Sequence, residues 1–170
     1  MLLLVAGVEG KSWYQERQAK AEEARLVAEQ QEVESKLEAE RVAAEQALVR
    51  AEAERLAKLT SDLNAMAGKA SIDLVMFPGV STQVAKILHS QQAAYEKYFA
   101  VSQPVEVVDG WVIGKGCVAD ACGTEEGIVA VELSSGKAHL AVYNQGVRFL
   151  GEDTSNTAPA AIRKWALQFQ

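Results

Sequence analysis

The feature that most constrains this chain is a long stretch without glycine or proline, from Lys11 to Ala67. Glycine and proline are the residues that most strongly punctuate secondary structure, and this stretch is instead rich in good helix formers. Nine of the twelve glycines and all three prolines come after Met76. We therefore predict an α+β protein, in which a long N-terminal helix precedes a small antiparallel β-meander domain with flanking helices.

Four leucines of the predicted helix recur every eleven residues, at Leu26, Leu37, Leu48 and Leu59. An eleven-residue period keeps one apolar stripe on one face of a nearly straight or slightly right-handed helix. Strict heptads are not sustained, so a tight left-handed dimer is not required. The pattern is compatible with a single solvated helix and with a loose parallel oligomer. In both cases the segment is a spacer without catalytic residues.

Charged residues along the same helix are spaced to support it. Pairs with the acid first lie at i,i+4, the favourable order: Glu16–Lys20, Glu32–Lys36 and Glu54–Lys58. At 1.5 Å per residue, such a helix would reach roughly 70–80 Å.

The first residues are apolar, from Leu2 to Val8, before Glu9 and Lys11 intervene. A spanning helix needs about 20 apolar residues, whereas Trp13 and Tyr14 are typical of a membrane interface. We interpret residues 1–12 as the stub of a membrane anchor, with a short start that packs or frays as the alternative. The predicted organisation is then anchor stub 1–12, charged spacer 13–69 and head domain 70–170.

The C-terminal part reads as short strands separated by turn residues. We predict five strands, at 104–108, 111–117, 127–133, 137–143 and 147–150, with Asp109-Gly110 as a hairpin turn. Before them, 72–77 fits either a strand or a short helix. Ser81 or Thr82 is expected to cap a helix whose apolar face runs from Val84 to Phe99, and a last helix is expected from Pro159.

The composition excludes several kinds of function. The net charge is −6, and no basic stripe suits nucleic acid. No catalytic triad order, phosphate loop or metal motif is visible, so we expect a non-enzyme without cofactor or metal. His89 and His139 have no partner fixed by spacing, and His139 is placed on an outer face of the sheet. The adjacent Glu125 and Glu126 are read as solvated.

The two cysteines, Cys117 and Cys122, lie between the second and third predicted strands. An even number of closely spaced cysteines in a small domain indicates a disulfide and an oxidising compartment. Two cysteines alone do not make a closed zinc site, which needs four ligands. The predicted bridge closes a loop with four residues at its tip: Val118, Ala119, Asp120 and Ala121.

This loop from Gly116 to Gly123, with the hairpin at 104–111 and the helix before it, resembles the periplasmic lysozyme inhibitors of the Ivy type over about residues 80–150. In that family the loop between the cysteines carries Lys-Pro-His-Asp and enters the lysozyme cleft, where its His contacts the catalytic carboxylates. Here Val118, Ala119, Asp120 and Ala121 stand at those four positions.

The resemblance implies an envelope binding protein in the periplasm that presents this loop to a protein partner, a lysozyme-like or other cell-wall enzyme. A carboxylate facing two carboxylates is repelled, so the fold is expected to carry over better than lysozyme inhibition. The alternatives are a loop that only staples the two strands, and a structural spacer protein that assembles with other copies through the helix.

We predict that residues 15–58 project away from the head domain. Small-angle scattering of the full chain should then give a radius of gyration well above the roughly 15 Å expected of a globular chain of this length. A compact particle would refute the spacer interpretation.

Overall fold

The computed structural model describes residues 6–169, with side chains from Trp13 onward. Its contacts divide the chain into two units, residues 1–52 and residues 53–170, and we call the second unit the head. Helix α1, Ala6–Asn64, begins in the first unit and ends in the second. The predicted helix at 15–58 is confirmed. Of the predicted anchor stub, residues 1–5 lie outside the described residues. None of the helices described is both long and apolar enough to span a membrane.

The surface of α1 carries several local ion pairs. Glu16–Lys20 and Glu32–Lys36 pair as predicted, with N–O distances of 3.2 and 2.6 Å, whereas Lys58 pairs with Asp62 at 2.7 Å. Exposed pairs of this kind contribute little individually. The predicted apolar stripe lies on the surface, with these members exposed: Leu26, Val33, Leu37 and Leu48.

The last turns of α1 belong to the head core. Leu63 is fully buried, Leu59 packs against the core, and the Thr60 hydroxyl donates to the Leu133 carbonyl at 2.9 Å. Helix α1 ends at Asn64, and Gly68 follows with a φ of 77°. The head is therefore built on the end of the long helix.

Three short helices follow: α2 Ser71–Met76, α3 Pro78–Leu88 and α4 Gln92–Glu96, with 3-10 turns at His89–Gln91 and Lys97–Phe99. The undecided segment at 72–77 is thus mostly helical. The predicted cap at Ser81 or Thr82 is wrong, because Pro78 opens α3 at a position that suits proline. The expected single helix to Phe99 is interrupted at His89, whose φ is 51°.

The sheet has six antiparallel strands instead of the predicted five: β1 Val101–Ser102, β2 Glu106–Val108, β3 Trp111–Cys117, β4 Glu125–Glu132, β5 Ala138–Asn144 and β6 Val147–Leu150. Strands β3 to β6 are neighbours in chain order. β1 and β2 both pair with β3, one after the other along its length. The two-residue β1 is too short to leave a sequence signal.

Each face of the sheet carries its own core. Val112, Val129 and Leu140 pack against the helices before the sheet. Tyr95, on α4, is buried in this core. Burial raises the pKa of the Tyr95 hydroxyl well above its ordinary value, and this neutral hydroxyl donates to the Ile128 carbonyl at 2.7 Å. On the other face, Ile113 and Ile128 pack against helix α5, Ala160–Ala166.

The predicted position of His139 on an outer face of the sheet is wrong, because helix α5 packs on the face of the sheet that carries this side chain. The His139 side chain is only 11 % exposed, and its Nδ1 lies 2.8 Å from Asp153 Oδ2. The Trp111 ring meets the His139 ring edge-on. Asp153 lies in the long loop between β6 and α5, so no local spacing could have identified it as the partner.

Two matched substitutions on one helix test where the head begins. Leu63→Ala should lower the free energy of unfolding of the head by about 2–5 kcal/mol, because it removes a fully buried side chain. Leu48→Ala, at a side chain that is 73 % exposed, should change it by less than about 0.5 kcal/mol. Urea denaturation of the full chain followed by tryptophan fluorescence measures both, and equal effects would contradict the assignment.

Candidate functional site: a disulfide-closed loop at one end of the sheet

The loop between β3 and β4 extends from the end of one central strand to the start of the next. The predicted disulfide is present, with the Cα atoms of Cys117 and Cys122 5.0 Å apart. The Val118 N–H donates to the Glu125 carbonyl at 3.0 Å, which continues the strand pairing by one bond. The loop is therefore attached to the sheet by backbone pairing as well as by the covalent bridge.

The tip of the loop is a four-residue turn. The Ala121 N–H donates to the Val118 carbonyl at 3.0 Å, and Asp120 has a φ of 63°, whereas Ala119 is not among the residues with positive φ. A positive φ at the third residue alone is the pattern of type II turns, which favour proline at the second residue. Asp120 tolerates this conformation because aspartate, asparagine and histidine are the non-glycine residues enriched there.

The return half of the loop is a second tight turn. The Ala121 carbonyl accepts from Thr124 N, Glu125 N and Thr124 Oγ1, at 3.1, 2.8 and 2.9 Å. The Gly123 N–H donates to Glu126 Oε1 at 3.0 Å. The sequence analysis read Glu126 as solvated, whereas its carboxylate accepts a hydrogen bond within the loop.

Two glycines at the base of the loop allow another segment to pack directly on the sheet. Gly116 and Gly127 face each other across β3 and β4. A Cβ at Gly116 would lie 2.8 Å from the Tyr98 carbonyl oxygen, and one at Gly127 would lie 2.7 Å from Tyr98 Cβ. No side chain fits at either position without moving the segment that precedes β1.

The loop end of the sheet is open to solvent and acidic. Ala119 and Asp120 are exposed, and Val118 and Ala121 are half-buried. Between Cys117 and Gly127 the sequence has three carboxylates, those of Asp120, Glu125 and Glu126, and no lysine or arginine. Among the described residues, no cluster of His, Cys, Asp or Glu could hold a metal ion. The arrangement suits contact with another molecule through shape and charge.

A cavity of about 310 Å³ lies elsewhere on the head, between the β2–β3 hairpin and α5. Trp111 and Trp165 line it, together with Ile113 and Lys164, and no residue of the disulfide loop does. Trp165 belongs to the core on that face, and Trp111 packs against it.

A model of the family Ivy, inhibitor of vertebrate lysozyme, matches residues 79–170, which is 92 of the 170 residues. The chain belongs to the Ivy family. The Ivy match begins in α3 and includes the whole sheet, the disulfide loop and α5, whereas the end of α1 and α2 precede it. No match was found among curated proteins or among solved structures.

Membership in the Ivy family confirms the resemblance drawn from the Cys-x4-Cys loop. The structure brings the four predicted tip residues, Val118 to Ala121, together in one turn closed by the two cysteines. Sequence reasoning missed the contributions of Gly123, Glu126 and the glycine pair at the base. Gly116 had a visible signal, because it lies inside a predicted strand, where a glycine often marks the close approach of another backbone.

We expect that removing both cysteines loosens the loop without unfolding the head. For so short a ring, loop-closure entropy corresponds to about 2 kcal/mol, so Cys117→Ser/Cys122→Ser should lower the free energy of unfolding by that amount or less. Urea denaturation measures the loss, and reduced wild-type protein is the control and should match the double variant. A variant that no longer folds would show that the bridge does more than close the loop.

Proposed function

We propose that this chain is a periplasmic envelope protein whose head binds a cell-wall enzyme of the lysozyme type through the loop closed by Cys117 and Cys122. The supporting observation is a covalently closed, exposed turn on a chain that belongs to a family of lysozyme inhibitors. A loop ordered before binding loses less conformational entropy when it enters a cleft. The chain then acts by binding and has no catalytic role of its own.

The chemistry of the tip distinguishes this head from the family pattern. An imidazole at position 120 could hydrogen-bond to both carboxyl groups of a lysozyme cleft, where one is protonated and the other ionised. Asp120 offers a like charge instead, and like charges repel strongly where water is excluded. We therefore propose that c-type lysozyme is a poor partner and that the preferred partner has a less acidic cleft.

The N-terminal part supports a role in the envelope. We propose that residues 1–12 belong to a membrane anchor and that the helix up to residue 58 holds the head away from the membrane. Trp13 and Tyr14 are 57 % and 60 % exposed, as side chains at a membrane interface would be. Cleavage of the helix near residue 30 should then release the head from spheroplast membranes.

The second candidate is a structural spacer that self-associates through α1 and inhibits nothing. The exposed stripe of Leu26, Val33, Leu37 and Leu48 supports it. Sedimentation of the full chain distinguishes the two: a monomer with a foreign partner supports the binding role, and a stable oligomer without one supports the spacer.

The loop hypothesis predicts a gain of function. Ala119→Pro/Asp120→His should raise the affinity for c-type lysozyme at least tenfold, because proline stiffens the second position of the turn and histidine replaces a repelled carboxylate. Calorimetric titration of the full chain measures the change. Asp120→Asn is the matched control, because it removes the charge without adding the imidazole, and its affinity should lie between the two.

Two results would count against this assignment. If the wild type binds lysozyme tightly and Asp120→Ala changes nothing, the loop does not enter the cleft. If neither the wild type nor the double variant binds, then lysozyme is not the target and the shared fold alone relates this chain to the inhibitors.

A further inference from the structure

The disulfide loop is held just after its second cysteine, at Gly123, by a polar contact instead of by packing. Gly123 has a φ of 90°, and apart from Gly123 itself and its two chain neighbours no heavy atom lies within 4 Å of the position that a Cβ would take. Its N–H donates to Glu126 Oε1 at 3.0 Å. Gly123 follows Cys122 directly, so a contact that holds its amide also restrains the backbone from which the Cys122 sulfur extends.

Glu126 is well placed to hold this amide. It lies on β4, a central strand, directly opposite Cys117 on β3 and Tyr143 on β5. Residues that face each other in register point to the same face of a sheet, so the Glu126 side chain emerges beside Cys117. Strands on both sides fix its backbone, and the carboxylate therefore reaches Gly123 from a rigid base.

We propose that Glu126 is a positioning residue for the disulfide loop. Its carboxylate holds the Gly123 amide and brings Cys122 to Cys117 before the sulfur–sulfur bond forms. A carboxylate accepting from a backbone N–H makes a charge-assisted hydrogen bond. The consequence for partner binding rests on the proposed function, because a loop that loses this contact meets its partner less ordered.

Loss of the Glu126 contact should change the equilibrium of disulfide formation between Cys117 and Cys122. In exchange with oxidised glutathione, the two protein thiols lose two electrons and two protons to form the Cys117–Cys122 bond, and glutathione disulfide is reduced to two molecules of glutathione. The equilibrium constant of this reaction measures how well the reduced loop brings the two sulfurs together.

Three variants of the full chain separate an effect of the Glu126 hydrogen bond from an effect of negative charge near the loop. Glu126→Ala should lower the equilibrium constant about five- to tenfold, the effect of losing one such hydrogen bond. Glu126→Gln keeps an acceptor oxygen and should stay within about threefold of wild type. Glu125→Ala is the matched control: it removes the same charge from the neighbouring residue, whose side chain lies on the other face of β4.

Amide hydrogen exchange in the oxidised protein provides a second readout. In Glu126→Ala, the Gly123 amide should exchange faster while the Val118 amide, which bonds to the Glu125 carbonyl, keeps its wild-type rate. Equal equilibrium constants for Glu126→Ala and Glu125→Ala would overturn the proposal. So would a loss in Glu126→Gln as large as in Glu126→Ala, or an unchanged Gly123 amide. Neither measurement uses a partner, so failure of lysozyme binding is a separate result.

Discussion

The pairing of β3 with β4 is the constraint on which the rest of the head depends. Seven consecutive pairs, from Trp111 with Glu132 to Cys117 with Glu126, define the register. A shift by one residue would exchange the two faces of the sheet, and each face has its own core. The same register sets Gly116 opposite Gly127 and brings Glu126 beside the disulfide. The two cores, the glycine pair at the base of the loop and the contact of Glu126 with Gly123 thus follow from one strand register.

The loop combines a disulfide-closed turn between two strands with a tip chemistry that differs from the family pattern. Its backbone forms a turn that would accept proline at Ala119 and histidine at Asp120, although the chain carries neither residue. The charge at the tip is the opposite of what an acidic cleft favours, and Glu125 and Glu126 at the base of the loop add two further carboxylates. The family match places this head among the Ivy proteins, and in our proposal the charge at the tip of the loop determines which enzyme it binds.

The sequence predicted the features that depend on local pattern. The uninterrupted helix, all five predicted strands and the disulfide were visible from composition, periodicity or spacing. The features it missed depend on residues far apart in the chain. His139 pairs with Asp153 across a long loop, and the packing of Leu63 in the head is decided by tertiary contacts. The break at His89 was hidden because the buried residues on both sides, Leu88 and Tyr95, keep helical spacing.

The most direct test of the account asks which surface of the head touches a lysozyme-type enzyme. Titration of isotope-labelled full-length protein with c-type lysozyme, followed by amide chemical shifts, suits the weak binding expected of the wild type. We predict that the largest changes fall on residues 117–124, with the turn at the opposite end of the sheet, Ser134 to Gly136, unaffected. Changes centred on that turn or on the cavity beside Trp111, with the loop amides unmoved, would contradict the account.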